Sequence, residues 1–104
     1  MTKEPKRNES AETVLYHVTT AKKAKRYRES GHIKKPVRGF DTLLAAMAWA
    51  NKTGRKVVYR VSGTPAYMLP DHHNEFGKAY WIDEDVPVCR IKCVFSAATV
   101  LEDE

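Results

Sequence analysis

VLYHVTTAKKAKRYRESG, residues 14–31, holds the two elements from which the rest of the chain can be read. Residues 14–19 are rich in β-branched and aromatic side chains, the composition of a strand. Side chains alternate along a strand, so Leu15, His17 and Thr19 share one face and Val14, Tyr16 and Val18 the other. Both faces carry apolar groups, which predicts a strand covered on both sides. Thr20 is placed to cap a following helix and Gly31 to end it. Between them Ala21, Ala24 and Tyr27 form a thin apolar stripe, and Lys and Arg fill most of the remainder. Such a helix packs weakly and shows a basic face to water.

Working outward, residues 32–39 read as an extended connector fixed by Pro36. Asp41 or Thr42 then caps a second helix over residues 42–53, closed by Gly54. Leu44, Met47 and Ala48 recur at helical spacing, with Leu43, Ala46 and Ala50 beside them, so this helix is expected to be the main core element. Strands are predicted over residues 56–62 and 88–95; in the second, Cys89, Ile91, Cys93 and Phe95 alternate with Val88, Arg90, Lys92 and Val94. Residues 69–86 read as one long irregular stretch, a length that in so small a domain points to function. The expected fold is α/β (α+β): a small mixed, mainly antiparallel sheet of five or six strands with two helices. Trp49, Leu44, Met47, Val58, Ile91 and Phe95 are the expected core. Leu44→Ala should then cost about 2–5 kcal/mol.

The 104 residues suffice for one domain, read as residues 13–101, between a disordered tail at 1–12 and a short acidic end at 102–104. No run approaches the roughly 20 apolar residues of a membrane helix. The polar start lacks the apolar segment of a signal peptide, so a cytoplasmic protein with no membrane association is expected. Cys89 and Cys93 are too few for a secreted disulfide scaffold. On one strand they would lie about 13 Å apart, against about 4.4–6.8 Å for a disulfide.

The net charge of +5 is concentrated locally. Lys22, Lys23, Lys25, Arg26, Arg28, Lys34, Lys35 and Arg38 face a single acid, Glu29, within residues 22–38, and the rest of the chain is close to neutral. A patch of this kind attracts the phosphates of a nucleotide or a nucleic acid. Among candidate chemical groups, His17 stands mid-strand beside Thr19, able to bond a ligand or a neighbouring backbone group. Asp71, His72, His73 and Asn74 form an unusual polar cluster in the irregular stretch. Zinc binding by these histidines with Cys89 and Cys93 is disfavoured, because both cysteines fall on the apolar face of their strand, and no metal is expected. No Gly-x-Ser-x-Gly, Walker-type loop or Gly-x-Gly-x-x-Gly is present. The acidic run Asp83, Glu84 and Asp85 precedes Val86-Pro87. It reads equally as a solvated turn or as a source of a carboxylate that orients a sugar hydroxyl.

Taken in order, these residues resemble a known family. A strand bearing His17-x-Thr19 leads to a helix ending in Gly31, then to Gly39-Phe40-Asp41-Thr42 and an Ala-rich helix. The strand Val57-Val58-Tyr59-Arg60-Val61 follows, and an acid precedes Val86-Pro87-Val88-Cys89-Arg90-Ile91. Over residues 14 to about 95 this resembles a miniature member of the ADP-ribosyltransferase-like superfamily, which includes NAD-dependent toxins and RNA 2′-phosphotransferases. The resemblance implies that His17 holds the NAD ribose, with Thr19 beside it. It implies that Phe40 and Thr42 line the nicotinamide pocket, and that Glu84, with Asp83 and Asp85 as rivals, orients the attacked ribose. It implies binding of NAD or of a nucleotide or RNA phosphate and, where catalysis is retained, transfer of ADP-ribose. Phe40 stands where many members have Tyr. Two other readings stand beside it. One is a non-catalytic module of phage or accessory type that binds nucleic acid or a protein through the basic helix 21–30, with Tyr27, Tyr67, Tyr80 and Trp81 as stacking surfaces. The other is a small enzyme, such as a nuclease, using His72 and His73 with His17 or His32. The transferase requires His17, Thr42 and Glu84 to converge in one cleft.

Overall fold

The computed structural model describes residues 13–97, so the tail at 1–12 and the acidic end at 102–104 lie outside the described residues. Ten elements follow one another: β1 (Thr13–Thr19), α1 (Ala21–Ser30), β2 (His32–Ile33), β3 (Val37–Phe40), α2 (Leu43–Thr53), β4 (Val57–Gly63), β5 (Tyr67–Met68), β6 (Ala79–Ile82), β7 (Val86–Pro87) and β8 (Ile91–Ser96). Short 3₁₀ turns lie at Pro70–His72 and Val88–Arg90. The fold is mixed α/β. A six-stranded sheet runs β5-β6-β3-β1-β4-β8, with every neighbouring pair antiparallel, and β2 and β7 pair separately. Among the described residues no helix is long and apolar enough to cross a membrane.

β1 lies at the centre because both of its faces are apolar, as its sequence requires. It pairs with β4 at seven successive positions, from Thr13↔Gly63 to Thr19↔Val57. Leu15 joins Ala24 of α1, Ile33, Val37, Val57, Tyr59, Val61, Ile82 and Val86 in one core. Tyr16 and Val18 point the other way, to a second core of Phe40, Ala45, Ala46, Ala50, Val58 and Ala79 beneath α2. The two helices thus cover opposite faces of the sheet. Thr20 caps α1 and Thr42 caps α2, each accepting a bond from the backbone N–H three residues on. Gly31 and Gly54 close the helices at φ +86° and +75°, the left-handed conformation glycine adopts without strain.

Four expectations are corrected. The buried side of α2 is its alanine side, Ala45, Ala46 and Ala50, while Leu44 is 59% exposed. Small side chains let the helix lie close to the sheet, and the larger Leu43 and Leu44 are turned outward. Of the six expected core residues Val58 is fully buried, whereas Trp49, Met47, Ile91 and Phe95 are partly buried at the margins. Cys89 and Cys93 are exposed, because the chain before β8 coils into a 3₁₀ turn and a bulge opposite Val58 and Tyr59 breaks the simple alternation. The stretch 69–86 is not uniformly irregular either: β6 forms four pairs with β3, from Val37↔Ile82 to Phe40↔Ala79.

The helix orientation has a measurable consequence. Leu44→Ala should change stability by no more than about 0.5 kcal/mol, as expected of an exposed site. Ala46→Leu should cost about 1–3 kcal/mol by overfilling the helix–sheet interface. Urea denaturation of both variants tests this, and a larger loss for Leu44→Ala would reverse the assignment of faces.

Candidate functional site

β1 and β3 meet at one paired position only, Tyr16↔Phe40. A ladder continued from there would pair His17 with Gly39, Val18 with Arg38 and Thr19 with Val37, yet the strands part instead. Gly39 allows the close approach just before they separate: a Cβ there would lie 2.9 Å from Leu15 Cβ and 3.1 Å from the Tyr16 carbonyl oxygen. Beyond Gly39 the two strands diverge into a wedge, and a cleft of about 590 Å³ opens within it. Residues 17–19 of β1 and 38–40 of β3 line the cleft from either side of the split. Tyr27 of α1 contributes to one wall; Trp49 of α2, with Leu69 and His72, contributes to another.

His17 bridges the split. Its Nδ1 lies 2.6 Å from the Arg38 carbonyl oxygen, and its Nε2 lies 3.0 Å from the Tyr27 hydroxyl. A carbonyl can only accept, so Nδ1 carries the proton and donates. In the neutral ring Nε2 is then an acceptor and Tyr27 donates to it. The Tyr27 oxygen is in turn within 3.3 Å of the Thr19 hydroxyl, which completes a chain from Thr19 through Tyr27 and His17 to the backbone of β3. Burial strips water from the imidazole and lowers its pKa from 6.5 to about 4. The bond to the Arg38 carbonyl opposes this shift, and the charges of Lys23, Arg55 and Arg38 reinforce it. Neutral His17 therefore serves the structure as a strand-to-strand link, with both nitrogens engaged.

The basic segment divides in space. Lys23 and Arg26 share the cleft side of α1 with Tyr27 and Ser30, while Lys22, Lys25 and Arg28 lie outside the lining. Lys34, Lys35 and Arg38 join from the β2–β3 connector and β3. Arg55, in the turn after α2, completes a set of six cations from four separate segments. No Asp or Glu of the described residues lines the cleft. Part of the lining is aromatic: Trp49 contacts Phe40 at 5.9 Å and His72 at 5.5 Å between ring centroids.

The other candidate residues lie elsewhere. Thr42 is spent on its capping bond to the Ala45 N–H and on a 2.8 Å bond to the Phe76 carbonyl, and it does not line the cleft. Glu84 is exposed and faces Arg90 at 3.8 Å. Asp85 accepts from the Lys35 N–H at 2.9 Å and stands 4.0 Å from His32, so it fastens the β2–β3 connector. Asp83 is exposed. The cleft therefore brings together His17, Thr19 and Phe40, but neither Thr42 nor Glu84. In the 71–74 cluster, His72 lines the cleft, while Asn74 bonds the Ala45 carbonyl at 3.1 Å and holds the loop on α2. Among the described residues no three His, Cys, Asp or Glu side chains gather as a metal site would require.

Sequence reasoning does not single out Arg55 or Trp49 as site residues. Arg55 stands apart from the basic run, and Trp49 lies on a helix whose apolar surface reads as core. Tyr27 reads both as helix packing and as a stacking surface; it follows Lys23 by four positions and precedes Ser30 by three. That spacing sets all of these side chains on one helix face and is a usable signal of a shared wall. No family model, curated protein or solved structure matches this chain.

The buried imidazole makes stability depend on pH in a defined window. Below pH 6.5 the unfolded chain binds a proton at His17 that the folded chain refuses until about pH 4. Stability is thus complete above pH 6.5 and falls as pH drops toward 4, by roughly 3 kcal/mol over the window. Urea midpoints measured between pH 4 and 7 should show a shallower decline in His17→Asn than in the native chain. Equal slopes would assign the proton uptake to another group.

Proposed function

We propose that the split-sheet cleft binds a phosphorylated nucleotide, of which NAD, ADP-ribose or the phosphate-bearing end of an RNA strand are representatives. The observation that carries this reading is the set of six cations drawn from four segments around a cleft with no acidic lining and an aromatic part. Like charges converge at a cost to folding, and an anionic ligand relieves it. Lys23 and Arg26 of α1 share the lining with Lys34, Lys35 and Arg38, so phosphates would meet cations from separate elements. Arginine supplies paired N–H donors that match phosphate oxygens, and lysine supplies point charges. Thr19 and Tyr27 belong to the same lining, with their hydroxyls engaged with one another and with His17. Together with the resemblance of the His17-x-Thr19 strand, this supports an ADP-ribosyltransferase-like binding protein.

Transfer of ADP-ribose asks for more than binding. Departure of nicotinamide leaves an oxocarbenium-like ribose, which a carboxylate beside it would stabilise. Glu84 stands with Arg90 outside the cleft lining. The geometry therefore favours nucleotide binding over ADP-ribosyl transfer as the function of this cleft.

Titration of the labelled protein with NAD⁺ and with ADP-ribose should shift amides at Thr19, Tyr27, Arg38 and Phe40 in a saturable way. Charge reversal of the pair Lys23→Glu and Arg26→Glu should weaken binding at least about tenfold and flatten its salt dependence. Absence of shifts at millimolar concentrations of both ligands, and of a 5′-phosphorylated oligonucleotide, would overturn the reading.

A further inference from the structure

His72, in the loop after β5, closes the 3₁₀ turn Pro70–His72, and its ring packs on Trp49 at 5.5 Å with the planes 56° apart. The loop that presents it is firmly held. Leu69 N–H bonds the Ala79 carbonyl at 2.8 Å, and His72 N–H bonds the Leu69 carbonyl at 3.0 Å. Farther along, Asn74 donates to the Ala45 carbonyl and accepts from the Phe76 N–H at 2.9 Å, while Thr42 donates to the Phe76 carbonyl. Gly77 is packed so closely that a Cβ would fall 2.6 Å from Asp41 Oδ1 and 2.8 Å from Thr42 Oγ1. His72 is therefore fixed as a wall of the cleft rather than carried on a loose loop.

One of its ring nitrogens is not matched to that position. Nδ1 of His72 is buried and has no hydrogen-bond partner, an unfavourable state for a polar atom withdrawn from water. The same lining includes Val18, Phe40, Trp49, Leu69 and Ala79, none of which offers a side-chain acceptor or, save the indole of Trp49, a donor. A ring nitrogen retained in such surroundings calls for a partner that the protein itself does not supply. Nδ1 is buried as the ring stands, so contact with a ligand requires the imidazole to turn about χ2, a torsion that is broad and roughly two-fold.

We propose that His72 is the residue that recognises the planar ring of the bound nucleotide, hydrogen-bonding its polar edge at the aromatic part of the cleft. This rests on the nucleotide-binding reading above and adds to it the orientation of the ligand. The ring lies among Phe40, Leu69, Trp49 and His72, and the phosphates lie toward Lys23, Arg26 and Lys35. Free nucleotides with a ring that carries an amide or amino edge satisfy this part. A bare phosphate or ribose phosphate engages only the cationic part.

His72→Phe retains a ring against Trp49 and removes both nitrogens. Calorimetric titrations of the native protein and this variant with ADP-ribose and with inorganic pyrophosphate form the test. The expected result is about a tenfold loss for ADP-ribose in His72→Phe with pyrophosphate affinity unchanged. Imidazole ¹⁵N spectra of the native protein should also show the His72 nitrogens shifting with ADP-ribose and not with pyrophosphate. If the native protein binds both ligands and the variant loses neither, or loses both alike, His72 does not read the ring and this proposal falls while the nucleotide-binding reading stands. If the native protein binds neither ligand, both fall together. Should the variant fold poorly, His72→Gln, which keeps a polar amide without the ring, serves as the second variant, and the ¹⁵N result on the native protein decides independently of either.

Discussion

The structure depends on what becomes of the Arg38 carbonyl where β3 leaves β1. A backbone oxygen freed from a sheet ladder must find another donor or forfeit the free energy of a lost hydrogen bond. His17 supplies that donor at 2.6 Å and keeps the two strands in register across the opening. The sheet can therefore split without fraying. Its two halves diverge around a cleft of about 590 Å³ while remaining one body, and residues 17–19 and 38–40 line the gap. The same bond fixes the tautomer of His17, and with it the direction of the hydrogen bond from Tyr27.

This arrangement explains why a histidine sits in a strand that otherwise reads as apolar. Such a residue can serve an internal hydrogen bond or a ligand contact, and the sequence leaves both open. Here the same ring lines the cleft and spends both nitrogens on the protein. Its contribution to any binding is to set the position of the Tyr27 hydroxyl and the width of the gap.

Much of the fold was legible because its signals are local. Alternation in residues 14–19, the two Thr caps and the two closing glycines mark β1, α1 and α2 to within a residue or so. The helix face on α2 was not, because hydrophobicity ranks Leu44 above Ala46 whereas close approach to a sheet ranks them the other way. The short strands β2, β3, β5 and β7 were hidden for a related reason: two to four residues carry too little periodicity to register, and they form because partners distant in sequence are available. The site was half legible. The basic run and His17 stand out in the sequence, but which cations converge is decided by helix phase and by connections. That is why Lys22, Lys25 and Arg28 drop out and Arg55, distant in the chain, enters.

The cationic and aromatic parts of the cleft differ in mechanical character. Exposed Lys and Arg side chains at the rim keep their rotamer freedom until something binds, and ordering them costs entropy at that moment. The loop bearing His72, stitched to α2 by Asn74 and Thr42 and seated on Gly77, has lost its freedom already on folding. Long-range attraction by mobile cations acts on the rate of encounter, and a rigid wall acts on the lifetime of what has been captured. For a ligand bound as proposed, arrival and retention would therefore fall to different parts of the cleft, the first to the cations and the second to the loop after β5.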